Sequence, residues 1–410
     1  MDSVASLVSL VQPTNLAPLP ALLAYTQSLG LERFLARPKR GYSTLALSVV
    51  WLVLAWRGSG RPEHLGLLSE PLLVALLNGP RLPDPATLRR SLAYWPVQAV
   101  RRAVEAAYQA APARRTGPIW VALDAHQLPY WGRGKTAQFT AGWSGLHNRS
   151  LRGYRLYLAT DTSTGQIIPF LLARGRPRDH LVVAVLARRV RARLGERLGG
   201  VVADCGFTSR EAVRRLAATG VPFILGFART APIRARLASL SGQQHRWRRD
   251  GGAIRLGRCP WDERLRLLAL GARTPTDQRG PWVYLTNVPR LGPRRLVALY
   301  RQRWRVEQVI DELVHGHDLN HLVTYRLAPN AKALGLRLLA RNLALGYQLA
   351  AAPTPPTTLA EPLAFRATAV DGLGQFYRDQ HGVHLFPLQP KPAAQWHLPW
   401  GSITVRHPVA

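Results

Sequence analysis

In Pro118-Ile119-Trp120-Val121-Ala122-Leu123-Asp124, a continuous apolar run of strand length ends on a carboxylate. No polar residue alternates with the apolar ones, so both faces of such a strand are covered and it belongs in the middle of a sheet. Val201-Val202-Ala203-Asp204 repeats the pattern further along the chain. Placed side by side, the two strands deliver Asp124 and Asp204 to the same sheet edge.

Outward from these strands, Tyr154 to Ala159 and Gln166 to Leu172 flank the polar turn Thr160-Asp161-Thr162-Ser163-Thr164-Gly165 and predict a hairpin. A helix from about Leu181 to Arg193 precedes the Asp204 strand. Another begins after Thr208-Ser209-Arg210-Glu211, where Thr208 and Glu211 have capping-box spacing, and Val221 to Leu225 supplies a further strand. Three strands, helix, strand, helix, strand is the element order of an RNase H-like α/β fold, expected over residues 117–226 and resumed over 287–352. Residues 227–286, with short apolar runs at Leu265 to Leu270 and Trp282 to Leu285, read as a β-rich insertion. A long helix from about Pro293 to Val314 then returns to the core.

Residues 1–112 carry apolar side chains at helical spacing in Leu22 to Phe34, Thr44 to Trp56 and Val97 to Ala111. They predict a helical N-terminal domain for DNA binding or dimerisation. Pro85 to Leu92 follows a Pro-rich turn, as the second helix of a helix-turn-helix would, although a solvated basic helix face reads equally well. The Pro-rich composition of residues 353–410 predicts a loosely packed C-terminal region. Ala333 to Ala352 has the length of a membrane span, but Arg337 and Arg341 would then lie in hydrocarbon, so it reads as a packed helix.

The chain has 410 residues, 47% of them hydrophobic, enough for a substantial core in two or three compact units. Its formal net charge of +32 makes a compact body self-repelling unless it lies against a polyanion, and nucleic acid is the leading partner. Lys39, Lys135, Lys332 and Lys391 are the only lysines. A GC-rich genome explains that arginine bias but not the net charge. Two cysteines, Cys205 and Cys259, build neither a disulfide framework nor a cysteine zinc site. With no signal peptide at the N-terminus, the expected location is a prokaryotic cytoplasm, in association with the nucleoid.

Two-metal phosphodiester chemistry needs carboxylate oxygens converging on ions about 4 Å apart, and magnesium, with manganese as a substitute, suits such donors. Asp124 and Asp204 supply two. On the helix after the insertion, Tyr300, Arg303 and Glu307 stack along one stripe beside the apolar Leu299, Val306, Ile310 and Leu313. Glu307 at that border is the preferred third carboxylate, with Asp311 and Glu312 as rivals. Each acid alone has an ordinary structural reading, Asp as a turn former and Glu as helix surface. Arg303 is either a bidentate phosphate ligand or a salt-bridge partner of Glu307. Trp304, between Arg303 and Arg305, is either a base-stacking platform or, more commonly, a core anchor. Arg174, Arg176, Arg178, Arg188, Arg189, Arg191 and Arg193 form a basic series placed near the active edge, suited to phosphate contacts. Gly132 to Thr136 lacks the leading glycine of a phosphate loop, since Pro129 stands there.

These motifs resemble those of the DDE transposases of bacterial insertion sequences. The group in question, insertion-sequence-four-like, carries the signature Tyr, two residues, Arg, three residues, Glu, six residues, Lys. Tyr300, Arg303 and Glu307 match it, and Val314 stands at the lysine position, with His315 and His317 just beyond. Val201 to Phe207 resembles the second-aspartate motif, and Asp124 with Leu128-Pro129-Tyr130-Trp131-Gly132 the first, so the similarity covers roughly residues 117–350. The resemblance implies that Asp124, Asp204 and Glu307 hold catalytic magnesium, and that Tyr300 and Arg303, with Trp304 and Arg305 beside them, contact DNA. It further implies terminal inverted repeats and target DNA as partners, a homodimer on paired ends, and cleavage followed by strand transfer. A nuclease without strand transfer and a non-catalytic, transposase-derived DNA-binding protein are the alternatives.

Overall fold

The computed structural model describes residues 11–36, 41–68, 71–77, 81–111, 117–133, 139–144, 147–174, 179–239, 253–270, 282–351, 362–379, 382–388, 394–398 and 401–405. The chain forms two compact units, one of Met1–Ala113, Leu128–Thr136 and Asp311–Ala410, the other of Arg114–Gln127 and Ala137–Ile310.

The second unit is built on a nine-stranded mixed sheet. Its strands are β1 (Ile119–Pro129), β2 (Thr140–Ser144), β3 (Arg149–Asp161), β4 (Ile167–Ala173), β5 (Leu198–Ala203), β6 (Phe223–Phe227), β7 (Ala253–Cys259), β8 (Asp262–Leu270) and β9 (Trp282–Thr286). They lie in the order β2-β3-β1-β5-β6-β9-β8-β7, with β4 also paired to β3. β1, β5 and β6 run parallel at the centre. Their side chains, from Val121, Ala122 and Leu123 to Val201, Val202 and Ala203, are buried, as a strand covered on both faces requires. The helices Asp179–Leu194 and Arg210–Ala217 make the connections into β5 and β6. This is the RNase H-like arrangement expected from element order.

The β-rich insertion does not fold apart from this core. β9 pairs antiparallel with β6, β8 with β9 and β7 with β8, so the insertion lengthens the same sheet. Two local expectations change. Ser209, not Thr208, caps the Arg210–Ala217 helix by accepting from Ala212 N at 3.1 Å, and Glu211 instead pairs with Arg214 and Arg215. The expected single helix over Pro293 to Val314 is two helices, Pro293–Arg301 and Trp304–Gly316. At the break Gln302 N bonds to Leu299 O and Arg303 N to Tyr300 O, which are tighter three-residue closures.

In the first unit, the Thr44–Trp56 helix is buried nearly all round, and the Leu327–Ala351 helix packs against it and against Val97–Ala110. Trp56 Nε1 donates to Ala340 O at 2.9 Å and Trp51 Nε1 to Ser91 Oγ at 3.1 Å. The Pro85–Ser91 helix is capped by Asp84; its Arg89 pairs with Glu63 and its Arg90 with Thr87. Where a loosely packed C-terminal region was expected, Pro362–Ala369 is helical. Gln12–Thr14, Gly374–Asp379, Gly382–Pro387, Gly401–Val405 and Ala394–Leu398 form a five-stranded sheet in that order.

Among the described residues no helix is long and apolar enough to cross a membrane. Arg337 and Arg341, which argue against a span, are buried with partners. Arg337 donates to the carbonyls of Gly60, Asp318 and His321, each at 2.8 Å, and Arg341 pairs with Glu312. Gly60 is glycine because a Cβ there would fall onto the Arg337 guanidinium. Burial and neighbouring arginines push His317 down to about 3, so it stays neutral and bonds to Ala55 O through Nδ1 at 2.9 Å. Arg337→Leu leaves three carbonyls without a donor, each costing about 1–3 kcal/mol. Denaturant unfolding should show a loss of about 3 kcal/mol or more, and an unchanged midpoint would remove Arg337 from the fold's supports.

Candidate active site

The register of the three central strands builds the site. Leu123 pairs with Ala203, and Ala203 with Leu225, so the next position along each strand forms the row Asp124, Asp204, Gly226. Asp124 Oδ1 accepts from Ala125 N at 2.7 Å, and Asp204 Oδ1 accepts from Gly206 N at 3.0 Å. One oxygen of each carboxylate is thus oriented by its own backbone. Burial pushes Asp124 up to about 6, and the charges of Asp204 and Glu307 add to the rise, while the Ala125 amide and Arg303 oppose it.

The helix pair covers this row. Tyr300 packs on Tyr284, ring centroids 4.5 Å apart, with its hydroxyl over Gly226. A Cβ at Gly226 would lie 2.8 Å from Tyr300 Oη and 3.0 Å from Cys205 N, so the third position of the row must be glycine. Burial raises Tyr300 well above an ordinary phenol, which keeps it neutral and able to donate. Arg303 lies 5.8 Å from the Tyr300 ring centroid and its Nη2 donates to Glu307 Oε1 at 2.6 Å. Burial works against the Arg303 charge, but Tyr300, Glu307 and Asp124 outweigh it and hold the guanidinium above its usual pKa.

Asp124, Asp204 and Glu307 are therefore brought within electrostatic range, but not into one ligand set. Among the described residues no three His, Cys, Asp or Glu side chains are grouped to hold one ion. Glu307 is tied to Arg303, the salt bridge that sequence spacing offered as the alternative role for that arginine. The donors still fit a divalent cation, because a carboxylate raised by burial, with two like charges adding to the rise, is relieved by positive charge. The rivals are engaged elsewhere: Asp311, 75% exposed, pairs with His315, and Glu312 pairs with Arg341.

Trp304 is 61% exposed, which overturns the core-anchor reading. Arg305 packs against the β3–β4 turn, where a Cβ on Gly165 would come within 2.8 Å of its Nε, and Gln302 accepts from Thr162 Oγ1 at 2.8 Å. The basic series is not all at the active edge. Arg188, Arg189, Arg191 and Arg193 occupy the end of the helix leading into Leu198, whereas Asp204 leaves the other end of β5, roughly 20 Å away at about 3.3 Å per residue. Arg191 there donates to Thr219 O at 2.7 Å. Arg176, Arg178 and Gly134 to Thr136 lie outside the described residues. Gly226 and Tyr284 escaped sequence reading; strand register, invisible in sequence, is what gives them meaning.

A folded-state carboxyl raised above its unfolded value keeps its proton to higher pH than the unfolded chain does. Stability associated with Asp124 is therefore present below about pH 4 and lost as pH rises to about 6. Asp124→Asn should raise unfolding stability at pH 8, without divalent ions, by about 2 kcal/mol and change little at pH 3.5. Equal effects at both values would remove the charge argument. Gly226→Ala should cost about 1–3 kcal/mol by overpacking and change the tyrosine near-UV circular dichroism. An unchanged spectrum would mean that Tyr300 does not rest on this glycine.

The structure is similar to a chain in the cryo-EM structure of the piggyBac transposase synaptic complex with hairpin DNA, at 16% identity and a TM-score of 0.49, covering 85% of this chain and 75% of that one. No curated protein sequence matches. Residues 116–343, more than half of the chain and all of the site just described, match the family described as transposase DDE domain, and the chain belongs to that family.

Proposed function

We propose that this transposase binds the terminal inverted repeats of a bacterial insertion sequence of the insertion-sequence-four-like group, hydrolyses DNA at the ends and joins the freed 3′ hydroxyls to target DNA. The observation that carries the reading is the row of Asp124 and Asp204 on paired parallel strands, with the charge of Glu307 felt at Asp124. These three carboxylates would hold two magnesium ions, for which manganese can substitute. Bound there, the ions supply activation of the attacking oxygen and stabilisation of the leaving one.

The remaining roles belong to side chains. Arg303 offers a planar fork to the phosphate beside the cleaved bond, and Tyr300 contributes a neutral hydroxyl. Exposed Trp304 presents a ring on which an unpaired base can stack. The charge of +32 supports a polyanionic partner, and Arg305 adds to the positive field at the hairpin turn. Two copies acting on paired ends complete the reading.

Labelled duplex DNA carrying the sequence that flanks the gene, incubated with magnesium, should yield cleaved and joined products with the wild type and neither with Asp204→Ala or Glu307→Ala. Both variants should still bind DNA. Cleavage without joining would make the protein a nuclease, and binding without cleavage a DNA-binding derivative. Cleavage retained by Glu307→Ala would move the third carboxylate to Asp311 or Glu312.

A further inference from the structure

We propose that Arg303 is a substrate-operated latch: in the DNA-free protein it holds Glu307 out of metal ligation, and a DNA phosphate that takes up the guanidinium releases Glu307 to complete the site. The proposal rests on the two-metal reading above and adds an order of assembly to it.

The latch is drawn shut. Arg303 Nη2 is 2.6 Å from Glu307 Oε1, with the Arg303 side chain 19% exposed and Glu307 35%. In this state no three acidic side chains among the described residues form a ligand set. Nothing else is placed to hold Arg303 so firmly: among the described residues its only side-chain hydrogen bond is the one to Glu307, and its Nε is buried without an acceptor. Compare Arg337, whose two terminal nitrogens serve three carbonyls. Arg337 is committed to the fold, whereas Arg303 has donors to spare and hydrogen-bonds a single acid among the described residues, with Asp124 acting on it only through its charge.

The two ligands of Glu307 compete for its charge. A divalent ion beside Asp124 and Asp204 competes with the guanidinium for Glu307 and repels it, since like charges in a partly buried site interact strongly. Arg303 cannot give up a carboxylate for nothing, because a half-buried cation without an anion is costly. A phosphodiester is the replacement that matches its fork with two parallel hydrogen bonds. Arg303 lies in the break between the two helices, next to the exposed ring of Trp304, where an incoming strand would find a base-stacking surface beside the guanidinium. Metal and DNA binding are then mutually reinforcing, and metal alone binds poorly.

Manganese binding to the full chain, read from the loss of its free electron paramagnetic resonance signal, tests the latch without relying on activity. The Asp204→Ala protein with the same duplex serves as the blank for ions held by DNA. Wild type alone should bind manganese weakly, and duplex DNA should raise the affinity about tenfold or more, within the usual range for coupled sites. Arg303→Gln without DNA should already bind at the higher affinity and gain little from DNA; Glu307→Gln should lose the DNA effect. Wild type binding manganese equally well with and without DNA overturns the latch while leaving the two-metal reading intact, and this comparison needs no variant to fold. Arg303→Gln, folded by thermal unfolding but binding no tighter than wild type, also overturns it. Should neither DNA-bound wild type nor Arg303→Gln take up manganese beyond the blank, the two-metal reading falls and the latch with it.

Discussion

Everything around the site answers to one constraint, the parallel register of β1 with β5. By pairing Leu123 with Ala203 it sets Asp124 and Asp204 at the same level on strands about 4.8 Å apart. Two like charges at a half-buried edge destabilise the sheet that carries them, and the local structure is arranged to contain that cost. Ala125 and Gly206 donate backbone hydrogen bonds to the two carboxylates, and Arg303 adds positive charge to their field. The third member of the row is Gly226, whose missing side chain admits the Tyr300 hydroxyl and so seats the Pro293–Arg301 helix, which leads into the one that carries Glu307. The apolar strands behind the row are continuous enough to bear the repulsion.

Arginine has two distinct uses in this chain. Arg337, Arg341 and Arg366 are built into the fold of the first unit, where they donate to backbone carbonyls or to Glu312. Arg191 does the same work at the end of the Arg210–Ala217 helix. Such residues count toward the net charge without being offered to a polyanion, so a composition of +32 overstates the positive surface available to one. The contacts of each arginine, not the charge total, separate the two classes.

The central strands and their terminal acids were legible in the sequence because a strand covered on both faces shows no polar alternation, and a short apolar run that stops at an aspartate is hard to place anywhere but the middle of a sheet. Element order then pointed to the RNase H-like arrangement. What remained hidden depends on pairing between distant segments. Nothing in Trp282 to Leu285 states that it will hydrogen-bond to Phe223–Phe227, so the sequence reads as a β-rich insertion without showing that it extends the sheet. The break at Gln302 and Arg303 carries no Gly or Pro to announce it, and helical periodicity ran straight through. Trp304 read as core because large aromatics usually are, yet the break turns it outward. The arginines of the Asp179–Leu194 helix read as a basic series near the active edge, but a helix that feeds β5 must end at the opposite edge from the residue that leaves it.

The same geometry explains why a strongly basic protein needs an arginine inside its acidic site. Surface cations draw a phosphate backbone toward the protein over a range set by the Debye length, about 8–10 Å at ordinary salt. Within the last few ångströms the field would reverse under the proposed function, because Asp124, Asp204 and Glu307 would face a phosphate that is itself negative. Long-range attraction cannot overcome that local repulsion, since it has already been spent in the encounter. A cation at the site must do so, and Arg303 is the side chain whose charge is felt at Asp124 and whose one hydrogen-bonded partner is an acid of the site. Placed in the break between two helices, beside the Tyr300 ring and with one hydrogen-bonded acid among the described residues, it could exchange one anion for another as proposed, which a saturated arginine such as Arg337 could not do.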